Sequence, residues 1–169
     1  GGRSDGPIIS SSPYATDNRI TYDLDLDKAN ALLDEAGLEP DENGVRFSLI
    51  FDMEPGSDFY KTSAEYARQQ LRKVGIDAKL RTSADFPAWA ERIGNHDFDL
   101  TTDNVWNWGD PAIGVHRTFL SSNIRNMVWT NTQSYRNDRV DEILAQAAVE
   151  LDDDKRKALY EEFQQIIAE

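Results

Sequence analysis

The chain has 169 residues, 39% of them hydrophobic, with 31 acidic against 18 basic side chains and no cysteine. That composition supports a folded core. It excludes disulfides, thiolate chemistry and zinc–cysteine sites, and a net charge of −13 makes nucleic acid and anionic lipid poor partners.

Residues 1–18, GGRSDGPIISSSPYATDN, are polar and rich in Gly, Ser and Pro. They predict a linker or loop over residues 1–21, entered from something earlier, without the pattern of a signal peptide. Leu26, Ala29, Leu32, Leu33 and Ala36 then recur at helical spacing, with Asp25 or Asp27 as cap and Gly37 as the left-handed stop. After a turn at Asp41–Gly44, Val45, Phe47, Leu49 and Phe51 alternate as a strand does. Tyr60, Ala64, Ala67, Leu71 and Val74 mark a helix over about 57–74, closed by Gly75. Strands follow near 76–82 and 97–103, separated by a short helix that Asp85-Phe86-Pro87 opens.

Residues 111–136 show weak periodicity and read as a short helix with long loops. Two helices finish the chain, near 138–151 with Asp138 as cap, and near 154–168. The last stretch, ALYEEFQQIIAE, carries no stop signal, so both ends read as cut from a longer protein. No run approaches the roughly 18 apolar residues of a membrane span, so the chain itself is not expected to cross a membrane.

Residues 45–103 thus alternate strand, helix, strand, helix, strand, which predicts an α/β fold. Ligands in open α/β sheets collect beyond the carboxyl ends of the strands. The third strand runs out into Asp103-Asn104-Val105-Trp106-Asn107-Trp108, followed by Gly109-Asp110-Pro111. Two tryptophans beside a turn are either core packing at a strand end or a ligand-binding wall; alternation puts both on one face, with Asn104 near them and Asn107 pointing away. Asp110 is either a turn cap before Pro111 or a ligand contact. Arg117 either makes a surface ion pair or receives a ligand carboxylate. Trp89 and Trp129 are assigned to packing.

Catalytic chemistry finds no support. His96 and His116, the only histidines, lie outside any recognisable catalytic spacing and read as exposed or locally bonded loop residues. Asp23, Asp25 and Asp27 imitate a calcium loop, but Lys28 and Asp34 stand where glycine and a bidentate glutamate belong. Asp97, Asp99 and Asp103 read as a solvated strand edge. No enzyme activity, metal or cofactor is expected.

The order of landmarks resembles the C-terminal lobe of the extracytoplasmic solute-binding proteins that serve peptide-type ABC importers, the oligopeptide/dipeptide/nickel-binding family. The carriers are Tyr22-Asp23, Leu32-Leu33-Asp34-Glu35-Ala36-Gly37, Leu71-Arg72-Lys73-Val74-Gly75-Ile76, Asp97-Phe98-Asp99-Leu100, Gly109-Asp110-Pro111, Tyr135-x-Asn137-Asp138-x-Val140-Asp141 and Tyr160-x-x-Phe163-Gln164-Gln165-Ile166-Ile167. Each alone is weak; their number, order and spacing carry the match. The resemblance implies a mixed sheet with a βαβαβ core and helices packed on it. Residues 22–169 would form one lobe of a two-lobe periplasmic binding protein, with residues 1–21 leading in from the preceding lobe.

It further implies a peptide or similar small ligand in an interlobe cleft, with Asn104, Trp106, Asn107, Trp108, Asp110 and Arg117 as the ligand-facing set. Partners would be the N-terminal lobe and the importer's membrane subunits, in a periplasmic or other extracytoplasmic setting. Asn107 falls near the place where relatives carry an aspartate that engages a peptide's amino terminus, a departure from the family pattern. The alternative is a structural or protein-interaction domain that uses the same lobe without a small ligand.

Overall fold

The computed structural model describes residues 6–18, 20–104, 106 and 108–169. Its contacts separate two compact units, Asp23–Asn104 and the combination of Gly1–Tyr22 with Val105–Glu169.

The first unit is α/β. Helix α1 (Leu26–Glu35) starts at Asp25, whose carboxylate accepts from the Lys28 N–H at 2.9 Å. Strand β1 (Phe47–Met53), helix α2 (Asp58–Arg72), strand β2 (Ile76–Arg81), helix α3 (Phe86–Gly94) and strand β3 (Leu100–Thr102) follow. The strands form a sheet of order β2-β1-β3 in which β1 pairs in parallel with both neighbours, Phe47 opposite Ile76 and Phe51 opposite Leu100. The βαβαβ order is the expected one. A mixed sheet would need an antiparallel strand, and the described residues supply none.

Gly75 makes the turn from α2 into β2 possible. Its φ is +83°, and a Cβ there would lie 2.8 Å from Arg46 Cγ and 3.0 Å from the Gly44 oxygen. The reversal returns the chain beside β1, where Arg46 N–H donates to the Gly75 oxygen at 2.8 Å.

Alternation along β1 sends its side chains to two different environments. Phe51 and Met53 are buried with Ala64 of α2 and Ala78 of β2, backed by Leu49, Leu71 and Leu80. Asp52, between them, is fully buried and charged. Arg92 of α3 donates to it from Nε at 2.6 Å and Nη2 at 2.9 Å, and Arg81 of β2 donates from Nε at 2.7 Å. Arg81 also bonds Asp97, and Asp99 Oδ2 accepts from the Ile50 N–H at 2.7 Å. Asp97 and Asp99 are exposed, as a solvated strand edge requires, and these two bonds add contacts to β2 and β1 just before β3 begins.

The second unit is helical, with α4 (Val115–Phe119), a 3-10 turn (Ser121–Asn123), α5 (Asp138–Val149) and α6 (Asp153–Ala168). Asn137, not Asp138, caps α5, accepting from the N–H groups of Arg139 and Val140. The core joins Val115, Val140, Ile143, Leu144, Tyr160 and Phe163.

Residues 6–18 form no regular element, yet they are not a detached linker. Ile8 lies in this core, the Tyr14 ring sits 5.1 Å from that of Tyr160, and Gln164 Nε2 donates to the Tyr14 oxygen at 2.8 Å. The long loop after α4 is organised by Asn131, which is fully buried. Its Nδ2 donates to the oxygens of Leu120 at 3.1 Å and Tyr135 at 2.8 Å, while its Oδ1 accepts from the Tyr135 N–H at 2.9 Å. Trp89 is fully buried, as packing requires, whereas Trp129 departs from that expectation with 44% of its surface exposed.

Truncating one member of a buried ionic cluster strands the others. Asp52→Ala is expected to cost about 3 kcal/mol, toward the low end for such clusters because both arginines keep some solvent contact. Urea unfolding followed by circular dichroism measures it; a change below about 1 kcal/mol would show that the cluster is dispensable.

Candidate ligand-binding site

The six candidate residues divide between the units. Asn104 ends the α/β unit, exposed, with its N–H donating to Asp103 Oδ1 at 2.6 Å. Trp106, Trp108, Asp110 and Arg117 belong to the helical unit, and Asn107 lies outside the described residues.

Trp106 and Trp108 are 62% and 61% exposed. Their rings stack, with centroids 6.2 Å apart and planes 23° from parallel. Neither ring is part of the core of the helical unit. Indoles held side by side in solvent present a flat apolar face on which a peptide plane or an apolar side chain can lie. Trp108 also borders a narrow crevice with Ile8, Ile9, Ser12, Pro111 and Val115.

The turn after the tryptophans is held from the side of α6. Asp110 Oδ1 accepts from the Ala112 N–H at 2.9 Å, and the Asp110 oxygen accepts from the Ile113 N–H at 2.9 Å. Arg156 of α6 grips the same carboxylate with two N–H groups, Nη2 to Oδ1 at 2.8 Å and Nη1 to Oδ2 at 2.9 Å. Its Nη1 also donates to the Tyr14 hydroxyl at 3.0 Å and its Nε to the Ala147 oxygen at 2.8 Å. The guanidinium lies 5.0 Å from the Tyr14 ring centre and 5.6 Å from that of Tyr160. Burial raises the Asp110 pKa, but the hydrogen bonds from Arg156 and Ala112 more than offset it, so the carboxyl stays below its ordinary range. The turn-cap role is therefore present in the structure, and Asp110 has a structural reason to be where it is.

His116 corrects another expectation. It is not a loop histidine: it sits on α4, 7% exposed, with Nε2 2.9 Å from the Tyr160 hydroxyl. Burial pushes its pKa down to about 4, with the nearby Arg156 charge acting in the same direction and Asp110 opposing. Burial also pushes the Tyr160 hydroxyl up to about 12. A neutral imidazole accepting from a neutral phenol satisfies both groups without a charge. Arg117, half-buried on α4, has its Nε enclosed and donating to no described residue.

Arg156, Tyr14, Tyr160 and Gln164 were missed in the sequence. Arg156, Tyr160 and Gln164 lie four residues apart along α6, so they share one stripe facing the core. A glutamine beside Phe163 and Ile167 on an inward face was the available signal. Among the described residues no group of three or more His, Cys, Asp or Glu could hold a metal.

A family profile described as bacterial extracellular solute-binding proteins, family 5, middle region, matches residues 1–127. The chain belongs to this family. Family 5 relatives include Protein XP55 of Streptomyces lividans, 27% identical over 96% of this chain and 30% of its own length. The oligopeptide-binding protein OppA of Lactococcus lactis subsp. lactis is 31% identical over 52% of this chain and 17% of its own length.

The same fold appears in the oligopeptide-binding protein AppA of Bacillus subtilis, solved with a nonapeptide, at TM-score 0.84 and 24% identity, covering 99% of this chain and 34% of that one. The periplasmic binding protein DppA of Helicobacter pylori, solved with the peptide STSA, matches at TM-score 0.80 and 25% identity, over 98% and 31%. The chain thus spans about a third or less of these proteins. No helix among the described residues is long and apolar enough to cross a membrane.

Two measurements probe the Arg156 node. Asp110→Asn should lower stability by about 1–2 kcal/mol, because one charge-assisted pairing is lost while the turn hydrogen bond survives. Acid should act through His116. Its folded pKa, about 4, lies below the unfolded 6.5, so in that window the unfolded chain holds a proton that the folded chain rejects. Stability is therefore full above about pH 6.5 and falls toward pH 4, by roughly 3 kcal/mol in all. His116→Gln should flatten the slope in thermal melts across that range; an unchanged slope would assign it to other groups.

Proposed function

We propose that residues 22–169 serve as one lobe of an importer's solute receptor that captures peptides or similar small solutes between two lobes. One observation carries the reading: Trp106 and Trp108 stack in solvent, in the segment that follows β3, in a chain of the solute-binding family. Stacked indoles grip peptide planes and apolar side chains by surface contact, without demanding a particular sequence, as a receptor for varied solutes requires. Asn104, Asn107 and Arg117 are the polar members of the proposed set. The enclosed Arg117 Nε supports a role in receiving an acceptor, such as a ligand carboxylate. Asp110 is assigned by this reading to holding the turn through Arg156, with ligand contact as a secondary role.

The receptor would work outside the cytoplasm, in the periplasm or at the cell surface, with an N-terminal lobe closing over the ligand and membrane subunits of an ABC importer receiving it. The chain would bind and release without chemistry, since nothing among its assigned residues forms a nucleophile–base pair.

In the full-length protein, Trp106→Ala or Trp108→Ala should weaken binding of a peptide mixture by about thirty-fold at one position at least, roughly 2 kcal/mol. Both variants should melt within a few degrees of the parent, because neither indole is buried. Calorimetry and thermal melts on the same samples decide it. Unchanged affinity with lost capture of a protein partner would instead favour the interaction-domain reading.

The 169-residue chain alone should show no tight peptide site in calorimetry, because one lobe leaves the ligand's other face in water. Submicromolar binding by this chain would contradict a two-lobe clamp.

A further inference from the structure

The α/β unit holds a cavity of about 350 Å³ that the tryptophan pair does not account for. It opens where β1 and β2 end and α2 begins, lined among others by Glu54, Ser57, Asp58, Lys61, Thr82 and Ser83. The carboxyl end of adjacent parallel strands is where α/β sheets hold small ligands, and this volume suits a small organic group.

The charges inside are unequal in burial. Asp58 and Lys61 are exposed and oppose one another. Glu54 is half-buried; its Oε2 is enclosed and accepts a hydrogen bond from no described residue. Burial first, then the nearby Glu54 carboxylate and the charge of Asp103, raise the Tyr60 pKa above its ordinary value, so the phenol stays neutral beside Glu54. An enclosed acceptor oxygen without a donor is costly, and the exposed Lys61 of the same lining does not bond it.

An anion has less to hold it here. The Ser57 hydroxyl already accepts from the Phe59 N–H at 3.2 Å, which occupies part of the α2 amino terminus. Ser83 Oγ is taken by Arg92, whose guanidinium is turned to Asp52.

We infer that this cavity receives an alkylammonium group, with Glu54 as its acceptor and Ser57 and Thr82 as neutral neighbours. The inference rests on the receptor reading for the origin of the group, a lysine side chain or the amino terminus of a captured solute. The chemistry rests on the α/β unit alone.

The test is an NMR titration of amide shifts in the 169-residue chain at fixed ionic strength, with n-butylammonium, n-butanol and butyrate as probes. Saturable shifts at Glu54, Ser57 and Thr82 are expected with the ammonium alone. Glu54→Gln should weaken them about tenfold, the scale of one charge-assisted hydrogen bond. Should that variant not fold, Asp58→Asn and rising salt on the parent chain must each weaken the same shifts. Comparable shifts from butanol or butyrate, or none from the ammonium, would overturn the assignment.

Nα-acetyl-lysine amide and glycylglycinamide separate the two sources, and binding by neither would also overturn it. Failure here leaves the tryptophan measurements in the full-length protein standing, so the two readings fail separately.

Discussion

Arg156 is the side chain on which the helical unit turns. It is one cation with five acceptors or faces around it: the Asp110 carboxylate, the Tyr14 hydroxyl, the Ala147 oxygen and two phenol rings. Its guanidinium is planar and rigid, so satisfying all of these at once fixes their mutual positions. The amino-terminal segment, the turn at Asp110 and the α5–α6 pair are thereby held by a single group. Lysine could not replace it, because a point charge cannot pair a carboxylate through two parallel bonds while lying against aromatic faces. The exposed tryptophan pair immediately precedes this anchored turn.

The α/β unit uses the same device with the signs reversed. Asp52 is a single buried anion between two guanidinium groups, one from β2 and one from α3. The carboxyl-terminal half of β1 is buried, and a charge there persists only when its neighbours saturate it. Both units spend their most costly electrostatics on holding elements in place. Among the described residues, Glu54 Oε2, Arg117 Nε and the Trp89 indole nitrogen are left without a hydrogen-bond partner, and the first two belong to charged groups.

Local chemistry made much of the fold legible. Asp25 and Asp85 cap helices, Gly75 turns the chain, and the alternation from Phe47 to Phe51 announces a buried strand. Each signal lies within a few residues of the element it marks. What stayed hidden depends on partners far apart in sequence. Asp110 and Arg156 are 46 residues apart, and Asp52 and Arg92 are 40 apart, so no spacing rule pairs them. His116 lies two residues after a glycine in a stretch without clear periodicity, and only the arrival of Tyr160 from α6 shows it to be core. The polar residues before Tyr14 suggested a free segment because their burial depends on α6, over a hundred residues later. For the tryptophan pair the sequence left core and ligand wall as alternatives; its exposure needed coordinates.

Asn131 carries a consequence of a different kind. Its amide gathers the backbone of Leu120 and Tyr135, so a loop with little regular structure has its course set by one internal side chain. Side chains on that loop that point outward, Met127 among them, contribute little to its shape. They can be exchanged over generations while the frame persists, much as a mould accepts different linings. A surface built this way can drift toward new contacts without first being made unstable.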